Sequence, residues 1–493
     1  MPFEILETTV ADVHQALRAG ELSCAELVQR YLDRIESVDR SGPLLNSIIT
    51  LNDNALADAR ALDQAFAKKD DLSGPLHGIP VLVKDQVETA GIMTTFGSIA
   101  MDGYLPARDA HVITRLRQAG AVILGKTAMP DFATSWFGVS SKAGISRNPY
   151  ALDHDPGGSS GGTGAAIAAN LATIGVGEDT GGSIRLPASF NNLVGLKVTP
   201  GLISRSGLSP LVAFQDSAGP MCRTVRDVAA LLNVLAGYDA DDPLTATALI
   251  AGRPDYVAGL RTEALEGRTV GVLRQAFGAD DDHAASAVNA LMETALDCMR
   301  SAGARTVDIV VPDLDHYIEY TSLYITHSRH DIDRFLAARP NAPARSVREI
   351  HAAGAYHRQL DLFEQIVEGP EDPWSEPDYY ARYTARERFQ QEVINAMGRA
   401  SADLLVFPTT RVPAPSRADL DAGKWTTFTF PTNTLIGAQT WMPSISVPAG
   451  FTPAGLPVGI ELLGLPYGEA PLLSWAYAYE QHSKHRRAPA ACA

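Results

Sequence analysis

Short, mostly apolar runs of strand length recur along this chain, and longer amphipathic stretches separate them. The runs are Pro80 to Val83, Ala121 to Leu124, Thr269 to Leu273, Val307 to Val311, Leu404 to Phe407, Ser444 to Val447 and Val458 to Leu463. A strand covered on both faces reads this way, because neither face requires polar residues. Between the runs, Ala284 to Ser301 places Val288, Leu291, Met292, Ala295, Leu296 and Met299 on one helical face. This alternation predicts an α/β protein on a large, mostly buried sheet. The first 36 residues read as helices. Thr9 with Asp12, and Ser23 with Glu26, fit capping-box starts, and Leu27, Val28, Tyr31, Leu32 and Ile35 then share a face. No repeat of fixed period interrupts the pattern. Gly369 to Pro377, acidic and proline-containing, reads as a surface excursion rather than a domain border.

Composition narrows the function classes. Charged residues are 20% and the hydrophobic set 45% of 493 residues, an ordinary globular balance. A formal net charge of −16 argues against a nucleic-acid partner, which requires a basic stripe. Cys24, Cys222, Cys298 and Cys492 are scattered, with no C-x-x-C pair, so the expectation is reduced, mostly buried thiols and neither a zinc site nor a disulfide framework. Met1 to Val10 lacks the basic and apolar segments of a signal peptide, and no 18-residue apolar run exists. The default expectation is a cytoplasmic enzyme without a membrane partner.

Residues 157–187 are dense in Gly, Ser and other small residues, which signals tight turns or close backbone approach. A phosphate loop does not fit, because no Lys occurs between Lys142 and Lys197 and the spacing after Gly175 and Gly177 breaks the dinucleotide fingerprint. The G-x-S-x-G elbow is matched by Gly157, Ser159 and Gly161, and again by Gly158, Ser160 and Gly162. That elbow needs a strand before it. Asn148 to Pro156 holds Pro149, Asp153, His154, Asp155 and Pro156, so none is expected to enter.

A longer correspondence accounts for the same stretch. Gly157-Gly158-Ser159-Ser160-Gly161-Gly162, Gly177 to Pro187, Val194 to Lys197 and Gly219 to Val225 together resemble the amidase signature family. Gly78 to Asp85 looks like that family's lysine strand. Gly125-Lys126-Thr127, Arg147-Asn148-Pro149, Ser446 to Gly450 and Gly455 to Ile460 also match. The resemblance implies one amidase-signature domain over 1–493, with a large mixed central β-sheet covered by helices on both faces. It divides into N-terminal helices (about 1–70), a catalytic core (about 75–230), a variable pocket region (about 240–420) and closing strands (about 430–480). Glu178 stands where the family usually has a small polar residue, Asn192 where Gly is usual, Asn191 for a common Cys and Ala128 for a common Asn. These departures are expected to touch the pocket lining rather than the chemistry.

Residue by residue, the resemblance makes Ser183 the nucleophile, Ser159 a bridging serine after a cis peptide bond, and Lys84 the base. A serine hydroxyl is a poor nucleophile until a neighbouring base takes its proton. A lysine is a base only when neutral, so its pKa must fall from about 10.4, and burial at the end of Val81-Leu82-Val83 would lower it. As a helix N-cap, Ser183 would also stand where N–H groups are free. Thr180, Gly181, Gly182 and Ser183 are therefore the expected oxyanion donors. Asp179 and Arg185 are read as structural charges, and Ser160 as a hydrogen-bond partner of Lys84. His154 and His77 are read as surface histidines. His327 and His330 share a helical face, but no third ligand is evident, so no metal and no cofactor is expected.

Pocket candidates are Trp136, Phe137, Tyr317, Tyr320, Tyr324 and the segment Thr426 to Trp441. Their aromatic character points to a small-molecule amide with a hydrophobic or aryl group. Carbamates, esters and hydrazides present a similar acyl carbon. The resemblance covers equally the amidase component of the tRNA-dependent glutamine amidotransferase, a glutaminase that works with partner subunits. A silent binding protein on the same scaffold is disfavoured by the intact Lys84, Ser159 and Ser183. A homodimer is left open.

Overall fold

The computed structural model describes residues 3–492. Met1, Pro2 and Ala493, which the readings of the N-terminal stretch and of a domain over 1–493 include, lie outside them. The strands are β1 (Ile48–Leu51), β2 (Pro80–Lys84), β3 (Val122–Thr127), β4 (Val139–Ser140), β5 (Gly144–Ile145), β6 (Ile174–Asp179) and β7 (Val194–Lys197). They continue with β8 (Ser217–Cys222), β9 (Thr269–Leu273), β10 (Arg305–Ile309), β11 (Leu404–Pro408), β12 (Ser444–Phe451) and β13 (Pro457–Leu463). Eleven strands form one sheet in the order β1-β3-β2-β6-β8-β7-β12-β13-β11-β9-β10, while β4 and β5 make a small hairpin. Parallel pairs (β2 with β3 and β6, β9 with β10 and β11) and antiparallel pairs coexist, so the sheet is mixed, as expected.

Both faces of the sheet are covered. Along β11, Leu404 and Val406 join the core with Val288, Met292 and Leu296 of the helix His283–Ser301. Leu405 and Phe407 point the other way, against Phe389 and Val393 of the helix Tyr379–Ala400. Alternate residues buried on opposite faces are the strand periodicity itself, here with no face left to water. The sheet takes strands from both sides of Gly369–Pro377, and that segment holds a 3₁₀ turn, Pro373–Ser375, flanked by exposed residues.

Both capping boxes form, at Thr9/Asp12 before Val10–Ala19 and at Ser23/Glu26 before Cys24–Arg34. Strand β10 lies two residues before the expected Val307–Val311. It is an edge strand, and Val310, in the apolar end of that run, is 68% exposed beyond it. Strands β6, β7 and β8 carry too few large apolar residues to stand out as runs. In β6 the small residues serve packing: a Cβ on Gly175 would lie 2.7 Å from Thr163 Cγ2 and 2.8 Å from Ile167 Cγ1. Gly175 thus lets the buried helix Gly161–Ala168 lie directly on the sheet.

One histidine reading changes. His77 is buried, not at the surface; its Nδ1 accepts from Ser73 N–H at 3.2 Å and its Nε2 lies 3.7 Å from Cys24 Sγ. His327 is buried with Nδ1 2.8 Å from Asp331, and its ring centroid is 6.0 Å from that of His330. Among the described residues no group of three His, Cys, Asp or Glu has metal-holding geometry, and no helix is long and apolar enough to cross a membrane.

Candidate active site

Strands β2 and β6 run parallel as neighbours, with Val83 opposite Val176, so their C-terminal ends emerge together. Crevices at the C-terminal ends of parallel strands are where α/β sheets place ligands. Lys84 ends β2, Asp179 ends β6, and the segment before the helix Gly161–Ala168 brings Ser159 across. The Gly158–Ser159 peptide is cis. Lys84 is buried, and its Nζ lies 2.8 Å from Ser159 Oγ. Ser160 N–H donates to the Ser183 carbonyl at 3.0 Å, which ties the two loops together.

The remaining contacts of Lys84 differ from expectation. Its Nζ reaches the Glu178 carbonyl at 3.2 Å and Glu178 Oε2 at 3.0 Å. Ser160 does not bond the lysine; its hydroxyl donates to the Glu178 carbonyl at 3.1 Å. The departure at position 178 therefore touches the charged centre of the site and not the pocket lining. Nothing in the local pattern signals this contact, because adjacency across β2 and β6 is a property of the sheet. Burial pushes the Lys84 ammonium below the ordinary lysine range, while the Glu178 carboxylate opposes that change. Burial likewise raises the Glu178 carboxyl, opposed by Lys84. Desolvation disfavours both charged forms.

Thr180 extends the cluster. Its hydroxyl lies 3.0 Å from Glu178 Oε1 and 2.6 Å from Asp216 Oδ1. Asp216, which no motif singles out, is pushed up to about 7, first by burial and then by the charge of Glu178. The Thr180 carbonyl accepts from the Gln215 side-chain amide.

Beyond β6 the chain turns through Gly181, Gly182 and Ser183 into the helix Arg185–Phe190. The N-cap is Ile184 rather than Ser183, and it carries no side-chain cap. Asp179 substitutes for one: its Oδ2 accepts from Ile184 N–H at 3.0 Å and Arg185 N–H at 3.4 Å. Asp179 also pairs with the buried Arg185 at 2.9 Å, and Arg185 donates to Glu461 and to the Thr434 carbonyl at 2.8 Å. The paired guanidinium holds the Asp179 carboxyl below the ordinary range despite burial. With the helix start anchored from behind, the N–H groups of Gly181, Gly182 and Ser183 donate to no other backbone group among the described residues. Side chains cannot be added here. A Cβ on Gly181 would collide with Tyr324 Oη, and one on Gly182, at φ +146°, would collide with Thr434 Oγ1.

Ser183 and Gly181 open into a cavity of about 630 Å³. Trp136, Tyr324, Leu362, Phe430 and Leu435 form apolar walls, and Asp315, Glu319, Arg382 and Arg411 also line it. Trp136 is fixed by its indole N–H, which donates to the Thr427 carbonyl at 2.8 Å. Phe137 is not in this wall; it packs edge-on against Phe430 in the core behind it, at 5.6 Å. Trp441 is also elsewhere, against Tyr383 and Phe214 with the buried Arg386 guanidinium 5.9 Å from its ring. Tyr317 stacks on Phe389 and Tyr320 on His316, away from the cavity. His154 pairs with the adjacent Asp153 at 2.8 Å.

Comparison with known proteins identifies the family of the whole chain. The peptide amidase of Stenotrophomonas maltophilia superposes with a TM-score of 0.89 at 36% identity, covering 99% of each chain. The A subunit of the glutamyl-tRNA(Gln) amidotransferase of Thermotoga maritima superposes at 0.77 with 25% identity, covering 99% of this chain and 98% of that one. The corresponding protein of Geobacter sp. (strain M21) is 35% identical over 98% of both chains. The family model named Amidase matches residues 26–473, so this chain belongs to the amidase family and is a hydrolase of carbon–nitrogen amide bonds.

Proposed function

We propose that this enzyme cleaves amides through an acyl-enzyme on Ser183, with Lys84 as the base and Ser159 as the proton bridge between them. Neutral Lys84 takes the Ser159 proton while Ser159 takes that of Ser183, and Ser183 Oγ attacks the carbonyl carbon. The developing oxyanion is met by the N–H groups of the turn Thr180 to Ser183, of which those of Gly181, Gly182 and Ser183 have no backbone acceptor. The proton returns through Ser159 to the departing amine, and water then releases the acid.

The cavity favours a hydrophobic or aryl-bearing amide. A volume of about 630 Å³ suits a ligand larger than free glutamine, and its aromatic walls offer apolar contact. The likeness to peptide amidase supports an amide group at the end of a larger apolar molecule. The second reading, an ammonia-supplying component that requires partners, is supported by the 35% identity to the glutamyl-tRNA(Gln) amidotransferase protein. The purified chain should be assayed alone on anilides, capped peptide amides, carbamates, simple esters and glutamine. The expected result is turnover of a hydrophobic amide without any partner. Glutamine hydrolysis alone, appearing only with added amidotransferase partners, would overturn the proposal.

A further inference from the structure

The proposed relay makes no use of the side chain at position 178. Yet Lys84 Nζ has three oxygen neighbours, and two of them belong to that one residue: the Glu178 carbonyl at 3.2 Å and Glu178 Oε2 at 3.0 Å. The third is Ser159 Oγ at 2.8 Å. A neutral amine has two hydrogens and one lone pair, whereas an ammonium has three hydrogens and none. If both amine hydrogens go to Glu178, the lone pair is left facing the Ser159 hydroxyl. The same carboxylate, when charged, favours the ammonium form.

The charge of Glu178 is itself constrained. Thr180 Oγ1 has one hydrogen but lies within hydrogen-bond distance of two carboxyl oxygens, Glu178 Oε1 and Asp216 Oδ1. It can donate to one and must accept from the other, so the arrangement is satisfied when one of the two carboxyls carries a proton. Asp216 also accepts from the N–H groups of Leu211 at 2.9 Å and Val212 at 3.1 Å. Those bonds favour its ionised form, but Glu178 faces the Lys84 amine at 3.0 Å, while burial and the charge of Glu178 push Asp216 up, so Asp216 is the better site for the shared proton and Glu178 keeps its charge. The surrounding charges are few. Asp179 is neutralised by Arg185, Asp331 and Arg205 act on Asp216 from farther away, and Tyr324 is buried beside Gln215.

Resting on the reading of Lys84 as the base, we infer that Glu178 is a positioning residue that aims the Lys84 lone pair at Ser159 and sets how firmly Lys84 keeps its proton. Asp216, through Thr180, sets the charge that Glu178 carries.

The test is the pH profile of kcat/KM and kcat on the best amide of the panel, for wild type, Glu178→Gln, Glu178→Ser and Lys84→Met. Glutamine keeps an acceptor oxygen but no charge. An opposite charge within about 4–6 Å typically moves a pKa by about 1–3 units, so the acid limb of Glu178→Gln should move to lower pH by about that much, with plateau kcat within about tenfold of wild type. Serine, the type of small residue the family resemblance expects at this position, should move the limb in the same direction and lower the plateau further. An unmoved acid limb in the folded variants would overturn the inference. So would failure of both variants to fold, which would make Glu178 structural only. An active Lys84→Met protein is a separate outcome and would instead refute the base assignment.

Discussion

Replacing Arg185 by Met tests the charge cluster that anchors the reactive turn. The guanidinium is buried and contacts Asp179 twice, at 2.9 and 3.1 Å, besides Glu461 and the Thr434 carbonyl. Methionine keeps much of the apolar stem and removes the charge, leaving two buried carboxyls without their cation. Breaking a buried ion pair by deleting one partner costs about 3–5 kcal/mol, a large share of a domain's total of about 5–15 kcal/mol. The pH dependence has a definite sign. In the wild type the folded Asp179 pKa is depressed, so its contribution is present above the unfolded value of about 3.9 and is lost as pH falls through the folded one. In the variant the main opponent of burial is gone and only weaker ones, such as the Ile184 N–H on Asp179, remain, so both carboxyls rise, destabilise the fold at neutral pH and cease to do so once protonated. Urea unfolding at neutral pH and at intervals down to about pH 4.5 should show a deficit that is largest at neutrality and shrinks with acid. Turnover should fall as well, because Asp179 holds the N–H groups that follow Ser183. A deficit under about 1 kcal/mol at neutral pH, or one independent of pH, would refute the reasoning.

Ser183→Ala should lose about 10⁴-fold or more in turnover while unfolding like wild type, and a variant keeping a tenth of the activity would exclude the nucleophile assignment. Lys84→Met and Ser159→Ala should each lose most acylation, their double variant should be scarcely worse than Lys84→Met, and His154→Ala should stay within a few-fold of wild type; stopped-flow acylation on one substrate compares all four. Gly182→Ala should lose activity even where it folds, because the new methyl must displace Thr434 from the turn; comparable turnover would show that the turn tolerates the shift.

Local sequence determined a great deal of this protein. The capping boxes at Thr9 and Ser23, the helix after Asp282 and most of the apolar strands depend on residues close in the chain, and they form where the pattern puts them. Lys84, Ser159 and Ser183 stand out through resemblance over many positions, and the fold brings Lys84 and Ser159 to 2.8 Å. What local pattern could not specify is which strand lies beside which. Strands β6 and β8 break their few large apolar residues with glycines and polar groups, so no hydrophobic run announced them. Their pairing brings Asp216 to Thr180, and the pairing of β6 with β2 brings Glu178 to Lys84. Trp136, Phe137 and Trp441 looked alike as aromatic candidates, but of these only Trp136 faces the cavity, because side-chain direction at each position is set by packing. The chain thus specified its polar groups by type and spacing. How firmly Lys84 holds its proton depends on charges 94 and 132 residues away in sequence, which only the folded sheet brings within reach.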